Sequence, residues 1–165
     1  MNYILQIVMF FSKNTTDRLQ VRIEHDTGET RMNTIQTFSA PLGRVLIALI
    51  FILSGIGKIS GYSGTQGYME SMGVPGMLLP LVIALEVLGG LAIVAGWQTR
   101  VVAFLLAGFT LLATLIFHSN LGDQTQMLFF MKNLSIAGGL LLVVSHGAGP
   151  YSIDHVWVDG LGVYT

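Results

Sequence analysis

Four stretches of this chain stay apolar for the length of a bilayer crossing, with short polar segments between them. They run Leu42 to Ile59, Leu78 to Gly96, Val101 to Phe117 and Gln126 to Ser145. At about 1.5 Å of rise per residue, spans of roughly 17 to 20 residues reach about 26–30 Å, which matches a hydrocarbon core. The pattern predicts an all-α integral membrane protein, a four-transmembrane-helix antiparallel bundle. Trp97-Gln98-Thr99-Arg100 is a short turn, so the second and third spans must be antiparallel neighbours. Between the first two spans, Ser63-Gly-Thr-Gln66 has capping-box spacing, and Gly73 with Pro75 supplies a stop. That reads as a short interfacial helix over about Gly64 to Met72, offering Tyr68, Met69 and Met72 to lipid or bundle. Pro80 falls in the first turn of the second span, where proline is tolerated.

Composition supports this reading. Only 10% of residues are charged against 52% hydrophobic, and the mean hydropathy is +0.68. Soluble domains carry about 25% charged residues, so a membrane protein is the better class. The net charge of −1 leaves no basic footprint for nucleic acid. There is no cysteine, which removes dithiol chemistry, thiolate metal sites and iron–sulfur ligation together. Any redox role therefore needs a bound cofactor or a partner. Arg31, Arg44 and Arg100, with Lys13, Arg18 and Arg22 further out, lie on one side of the bilayer, and Lys58 and Lys132 on the other. The excess of basic residues places both termini in the cytoplasm.

Residues 1–31 form a separate N-terminal extension before a membrane domain over 32–165. MNYILQIVMFF is too short to span and lacks a basic leader, and residues 12–31 are polar and of mixed charge. The segment reads either as an over-extended start or as a cytoplasmic appendage. Ala92 to Gly96, Ala103 to Ala107 and Ser135 to Gly139 have the small-xxx-small spacing that lets helix backbones approach in lipid, a common pattern that names no partner.

Glu86 carries the chemistry. It lies in the middle of the second span, where an ionised group costs a few kcal/mol unless it is paired, protonated or beside water. It is about 13 Å below one membrane face by helix rise, and Lys132 in the fourth span is about 8–9 Å below the same face. A Glu86–Lys132 contact is within a lysine's reach. Lys58 could reach down from the interface, and Arg44 could rise from the opposite side. Asn133 adds a donor and an acceptor beside Lys132, with Tyr62 and His118 at the rim. Such a cluster with apolar walls can bind a neutral head group and relay its protons, with Glu86 and Lys132 as the candidate relay. It can also be a buried pair that fixes helix register. His118 and His146 end different spans on opposite sides, so they cannot share one haem, and His25 and His155 lie in the polar termini. No metal is predicted. Trp97 fits an interfacial anchor.

The run Arg44 … Gly55-Ile-Gly57-Lys58, Gly61-Tyr-Ser-Gly-Thr with Tyr68-Met69, and Gly73-Val-Pro75 resembles the DoxX family of bacterial membrane proteins. Leu85-Glu86 with Gly89-Gly90, Gly96-Trp-Gln-Thr99-Arg100, His118-Ser-Asn, and Met131-Lys-Asn133 with Gly138-Gly139 extend the match over about residues 40–155. The resemblance implies a multi-pass bundle in the cytoplasmic (inner) membrane. It also implies association with quinone-linked thiosulfate oxidation, or with oxidative-stress complexes containing a sulfurtransferase and a superoxide dismutase. Arg44, Lys58, Glu86 and Arg100 match the family's polar motif positions, and Lys132 that of a subgroup of short inner-membrane proteins. None supplies a redox centre, so the lone chain is not expected to be a self-sufficient oxidase.

Three functions follow as expectations. The first is a membrane subunit of a quinone-linked redox or stress system, with quinone or another apolar ligand near Glu86, Lys58, Lys132, Asn133 and Arg44. Its electrons would come from a redox partner. The second is a scaffold whose ion pair sets helix register. The third is a small proton or weak-acid transporter, for which four helices leave little room unless the chain forms a homo-oligomer.

Overall fold

The computed structural model describes residues 38–149 and 151–160. The chain divides into two compact units, Met1–Ser39 and Ala40–Thr165. The extension expected over residues 1–31 lies outside the described residues, and all that follows concerns the second unit and the helix that leads into it.

Four helices are long and apolar enough to cross a membrane, and among the described residues there is no strand. Helix α1 is Phe38–Ser60 and α2 is the short Tyr62–Ser71. A 3₁₀ turn at Gly76–Leu78 leads into α3, Leu79–Ala95. Helix α4 is Thr99–Phe117, α5 is Gln124–His146, and α6 is a short C-terminal helix, Ile153–Gly160. Pro80 stands in the first turn of α3, where its missing N–H has no intrahelical partner to lose. Gly96 closes α3 at φ +70, a left-handed position that favours glycine. Asp123 opens α5 by accepting the Gln126 amide at 2.9 Å.

The capping box expected at Ser63 is not formed. Helix α2 follows α1 through Gly61 almost without a break: the Gly61 and Thr65 amides already bond the carbonyls of Gly57 and Gly61. Ser63 therefore lies inside α2 and not at its cap, which is Gly61, and the Gln66 side-chain amide donates to Glu70 at 3.3 Å. Of the side chains offered by α2, Met69 is buried, while Tyr68 and Met72 are largely exposed.

The bundle is apolar outside as well as inside. Its core is small: Ala48 and Phe51 from α1, Ile93 from α3, Ala103, Leu106 and Ala107 from α4, and Leu140 from α5. Between 11% and 28% of each span is buried within the protein, so the outward leucines and phenylalanines are lipid-facing surface rather than misplaced core. Glycine sets the closest approaches. A Cβ at Gly90 would stand 2.6 Å from Ile52 of α1, and one at Gly89 would stand 3.2 Å from Leu106 of α4. Of the small-residue pairs, Ala103 and Ala107 are buried in the core, whereas Ser135 is exposed.

Candidate functional site

Glu86 pairs with Lys58. The ammonium Nζ lies 2.9 Å from both Oε1 and Oε2 and donates to the Ser54 hydroxyl at 2.7 Å. Ser54 in turn reaches Oε1 at 3.3 Å. Helix geometry explains the meeting. Side chains tilt toward the N-terminus of their own helix, so Lys58 drops one turn toward Ser54. Glu86, on an antiparallel neighbour, leans the opposite way, and the two tips converge between the helices. Gly55 makes the convergence possible, since a Cβ there would stand 2.6 Å from Val87 Cγ2 and 3.3 Å from Glu86 Cβ.

The pair is well suited to its depth. The Glu86 side chain is 5% exposed and that of Lys58 is 23% exposed. All three ammonium hydrogens have acceptors in Ser54 and the two carboxylate oxygens, and three of the roughly four acceptor positions on the carboxylate are used. An ionised group at mid-membrane costs about 2.5–3.5 kcal/mol on insertion scales. Mutual charge and the hydroxyl offset that cost on both helices.

The pair forms part of the wall of a cavity of about 310 Å³, to which all of α1 to α5 contribute. Helix α2 covers one end with Tyr68 and Met69, and the Tyr68 ring lies 5.5 Å from that of Phe117. Thr110 is buried in the wall with its hydroxyl turned back to the Leu106 carbonyl at 2.7 Å, so it presents little polarity to the cavity.

Lys132 and Asn133 line the same cavity from α5. Lys132 does not pair with Glu86: its Nζ stands 5.0 Å over the Phe129 ring, and the one ion pair among the described residues is Lys58–Glu86. His118 also lines the cavity, with Nδ1 2.7 Å from Gln126 Oε1 and its ring 5.3 Å from Phe129. His146 is held apart, with Nδ1 donating to Leu142 O at 2.9 Å. Tyr62 is exposed and is not among the cavity residues.

Arg44 is the correction. It does not rise toward Glu86 and does not line the cavity. It is 3% exposed at the opposite end of α1, where its Nη2 donates to the Tyr151 carbonyl. It lies there because Gly96 leaves room, for a Cβ at that position would collide with Arg44 and Ser152. The neighbouring Asp154 accepts the amides of Gln98 at 2.7 Å and Thr99 at 2.9 Å, and its own amide donates to Gly96 O at 2.8 Å. Burial pushes the Asp154 carboxyl up, but the Thr99 hydroxyl beside it, these two amides and the Arg44 charge outweigh that, leaving it below its ordinary value. The Thr99 hydroxyl falls short of hydrogen-bond geometry, so the amides are the firmer support. Arg100 is exposed and packs against Gly147.

Sequence reasoning missed Ser54 and Asp154. Ser54 is signalled by its i, i+4 spacing from Lys58. Asp154 is signalled by an absence: Gln98 begins α4 without a side-chain cap, so the first amides need an acceptor from elsewhere.

Comparison with known proteins agrees with this architecture. The chain is 52% identical to inner membrane protein YqjF of Escherichia coli over 76% of its own length and 96% of that protein. It is 39% identical to inner membrane protein YphA of the same organism, covering 68% of this chain and 86% of that one. A more distant relative is named "Putative oxidoreductase CatD", from Bacillus subtilis, at 33% identity over 52% of this chain and 63% of that protein. No solved structure matches. A family model described as DoxX matches residues 40–119, across α1 to α4. Its match and the YqjF likeness together establish that this four-helix membrane protein belongs to the DoxX family.

Proposed function

We propose that this chain is the membrane subunit of a quinone-linked redox or redox-stress system in a bacterial inner membrane, with both termini cytoplasmic. In this reading a quinone-type head group binds in the cavity beside Glu86. The observation that carries the proposal is an ion pair that ends in a cavity instead of packing shut on itself. At about 310 Å³ the space is at the small end of ligand pockets, roughly 300–1,000 Å³. It is about twice the 150 Å³ that admits one benzene ring, so it suits a single substituted ring.

The donor set fits that group. Lys58 has its hydrogens committed, so the pair offers the carboxylate's remaining acceptor position, which suits a hydroxyl that must lose a proton. A bound quinol supplies two electrons and two protons. Glu86 would take one proton at the carboxylate while Lys58 and Ser54 hold that carboxylate in place, and the second would pass to bulk water. Met69, Phe117 and Ile136 would exclude water around it. Electrons would pass to a redox partner, since the chain has no cysteine to carry them. The name of the Bacillus relative favours oxidoreductase chemistry in the wider family.

Mass spectrometry of what co-purifies with the solubilised protein tests the reading. Wild type should retain quinone at near-stoichiometric level, and monodisperse Glu86→Gln should retain little. Equal retention in both, or bulk lipid alone in both, would overturn it. A scaffold role is favoured by one observation, the saturation of the Lys58 donors within the protein. It predicts that Glu86→Gln changes stability with no change in bound molecules.

A further inference from the structure

Cavity charge sets the class of ligand. Lys58 and Glu86 neutralise each other at 2.9 Å, but Lys132 lines the same cavity without an ion-pair partner among the described residues. Its Nζ is held over Phe129 at 5.0 Å, and a face-on ring steadies an ammonium without cancelling its charge. The cavity wall therefore carries one unmatched positive charge. Asn133, Tyr68 and Thr65 line the same cavity, and their side chains make no hydrogen bond among the described residues. Lys58, by contrast, has no hydrogen left to offer. The cavity wall thus holds a closed neutral pair and, apart from it, one cation and three side chains with uncommitted donors.

We infer that the cavity selects a ring compound bearing an ionised acidic oxygen, an enolate, phenolate or carboxylate, over its neutral counterpart, with Lys132 as the residue that sets this preference. The inference rests on the cavity being the ligand site proposed above. Lys132 touches the ligand's anionic oxygen in this arrangement, Asn133 and Tyr68 supply further hydrogens to it, and Glu86 faces the far side of the ring.

The test uses two probes of nearly equal shape in an uncharged maltoside detergent. One is 2-hydroxy-1,4-naphthoquinone, ionised at neutral pH; the other is 1,4-naphthoquinone. The absence of cysteine removes thiol addition as a complication. Calorimetry should show wild type binding the ionised probe at least about tenfold more tightly, a difference of about 1.4 kcal/mol. Lys132→Gln should bring the two affinities together, chiefly by weakening the ionised probe, and Lys132→Arg should keep the preference. Equal binding of both probes by wild type, or a preference untouched in Lys132→Gln, overturns the selectivity and leaves the cavity reading standing. Binding of neither probe overturns both. Because Lys132 is exposed, neither variant should disturb folding, and size exclusion confirms this before binding is read.

Discussion

The Lys58–Glu86 pair predicts an asymmetry between its two single variants. Removing one partner of a buried ion pair typically costs about 3–5 kcal/mol, because the survivor is left charged and unsatisfied. Here the survivors are unequal. Glu86 is short, 4% exposed and fixed mid-helix, so in Lys58→Met the carboxylate has only Ser54 left and must stay charged at high cost or take up a proton. Lys58 is long, near the end of α1 and partly exposed, so in Glu86→Gln the ammonium can swing toward the interface. Lys58→Met should therefore approach the full cost and Glu86→Gln should fall well below it, at about 1.5 kcal/mol, the low end for a lost hydrogen bond to a charged group. For a chain of this size about 1 kcal/mol moves the melting midpoint by roughly 2–4 °C. Thermal melts in detergent, followed by Trp97 fluorescence or by monodispersity, should drop by about 6–20 °C for Lys58→Met and by only a few degrees for Glu86→Gln. The double variant Lys58→Met/Glu86→Leu should recover most of the loss, with a coupling above about 2 kcal/mol. Equal losses that simply add in the double variant would refute the pairing logic.

Gly55→Ala places a methyl 2.6 Å from the stiff, branched Val87, forcing α1 and α3 apart at the level of the pair. A loss of about 1–3 kcal/mol is expected, and a melt unchanged from wild type would show that the helices are not in such close contact. Asp123→Ala removes the α5 cap and should cost about 0.5–2 kcal/mol; hydrogen exchange should quicken in the first turn of α5 before it changes elsewhere. Asp154 is depressed in the folded state, so its contribution is present at neutral pH and fades as pH falls through that lowered value, below the usual carboxylate range. Limited proteolysis should find α6 protected at pH 7 and released under strong acid, and Asp154→Asn should weaken that protection already at pH 7. Equal protection in wild type and variant across the range would remove Asp154 as the anchor.

Spans, antiparallel order and the need of Glu86 for a partner were legible because lipid imposes a length and penalises a lone charge. The partner of Glu86 was not. Depth alone admitted Lys58, Lys132 and Arg44, and the choice turned on helix rotation, which Gly55 and Gly90 fix by letting α1 and α3 touch along one line. Arg44 was misread for a related reason. Its carbonyl partner belongs to Tyr151, more than a hundred residues later, and nothing local signals a bond to a distant backbone atom. The capping box at Ser63 failed because α2 is nearly a continuation of α1 and is capped at Gly61, two residues before the motif begins.

Helix α1 is tied by polar groups at both ends, through Arg44 to Tyr151 and through Lys58 to Glu86. Fourteen residues separate the two anchors, about four helical turns, which returns them to nearly the same side of the helix. The stretch between them is thus a ruler. One residue inserted there would swing one anchor by about 100° and break its bond, however apolar the insertion. Substitutions between Arg44 and Lys58 can change freely on the lipid side, but the count of residues cannot. Indels in this protein should accordingly collect in the loops after α2 and α4 and avoid the first span altogether.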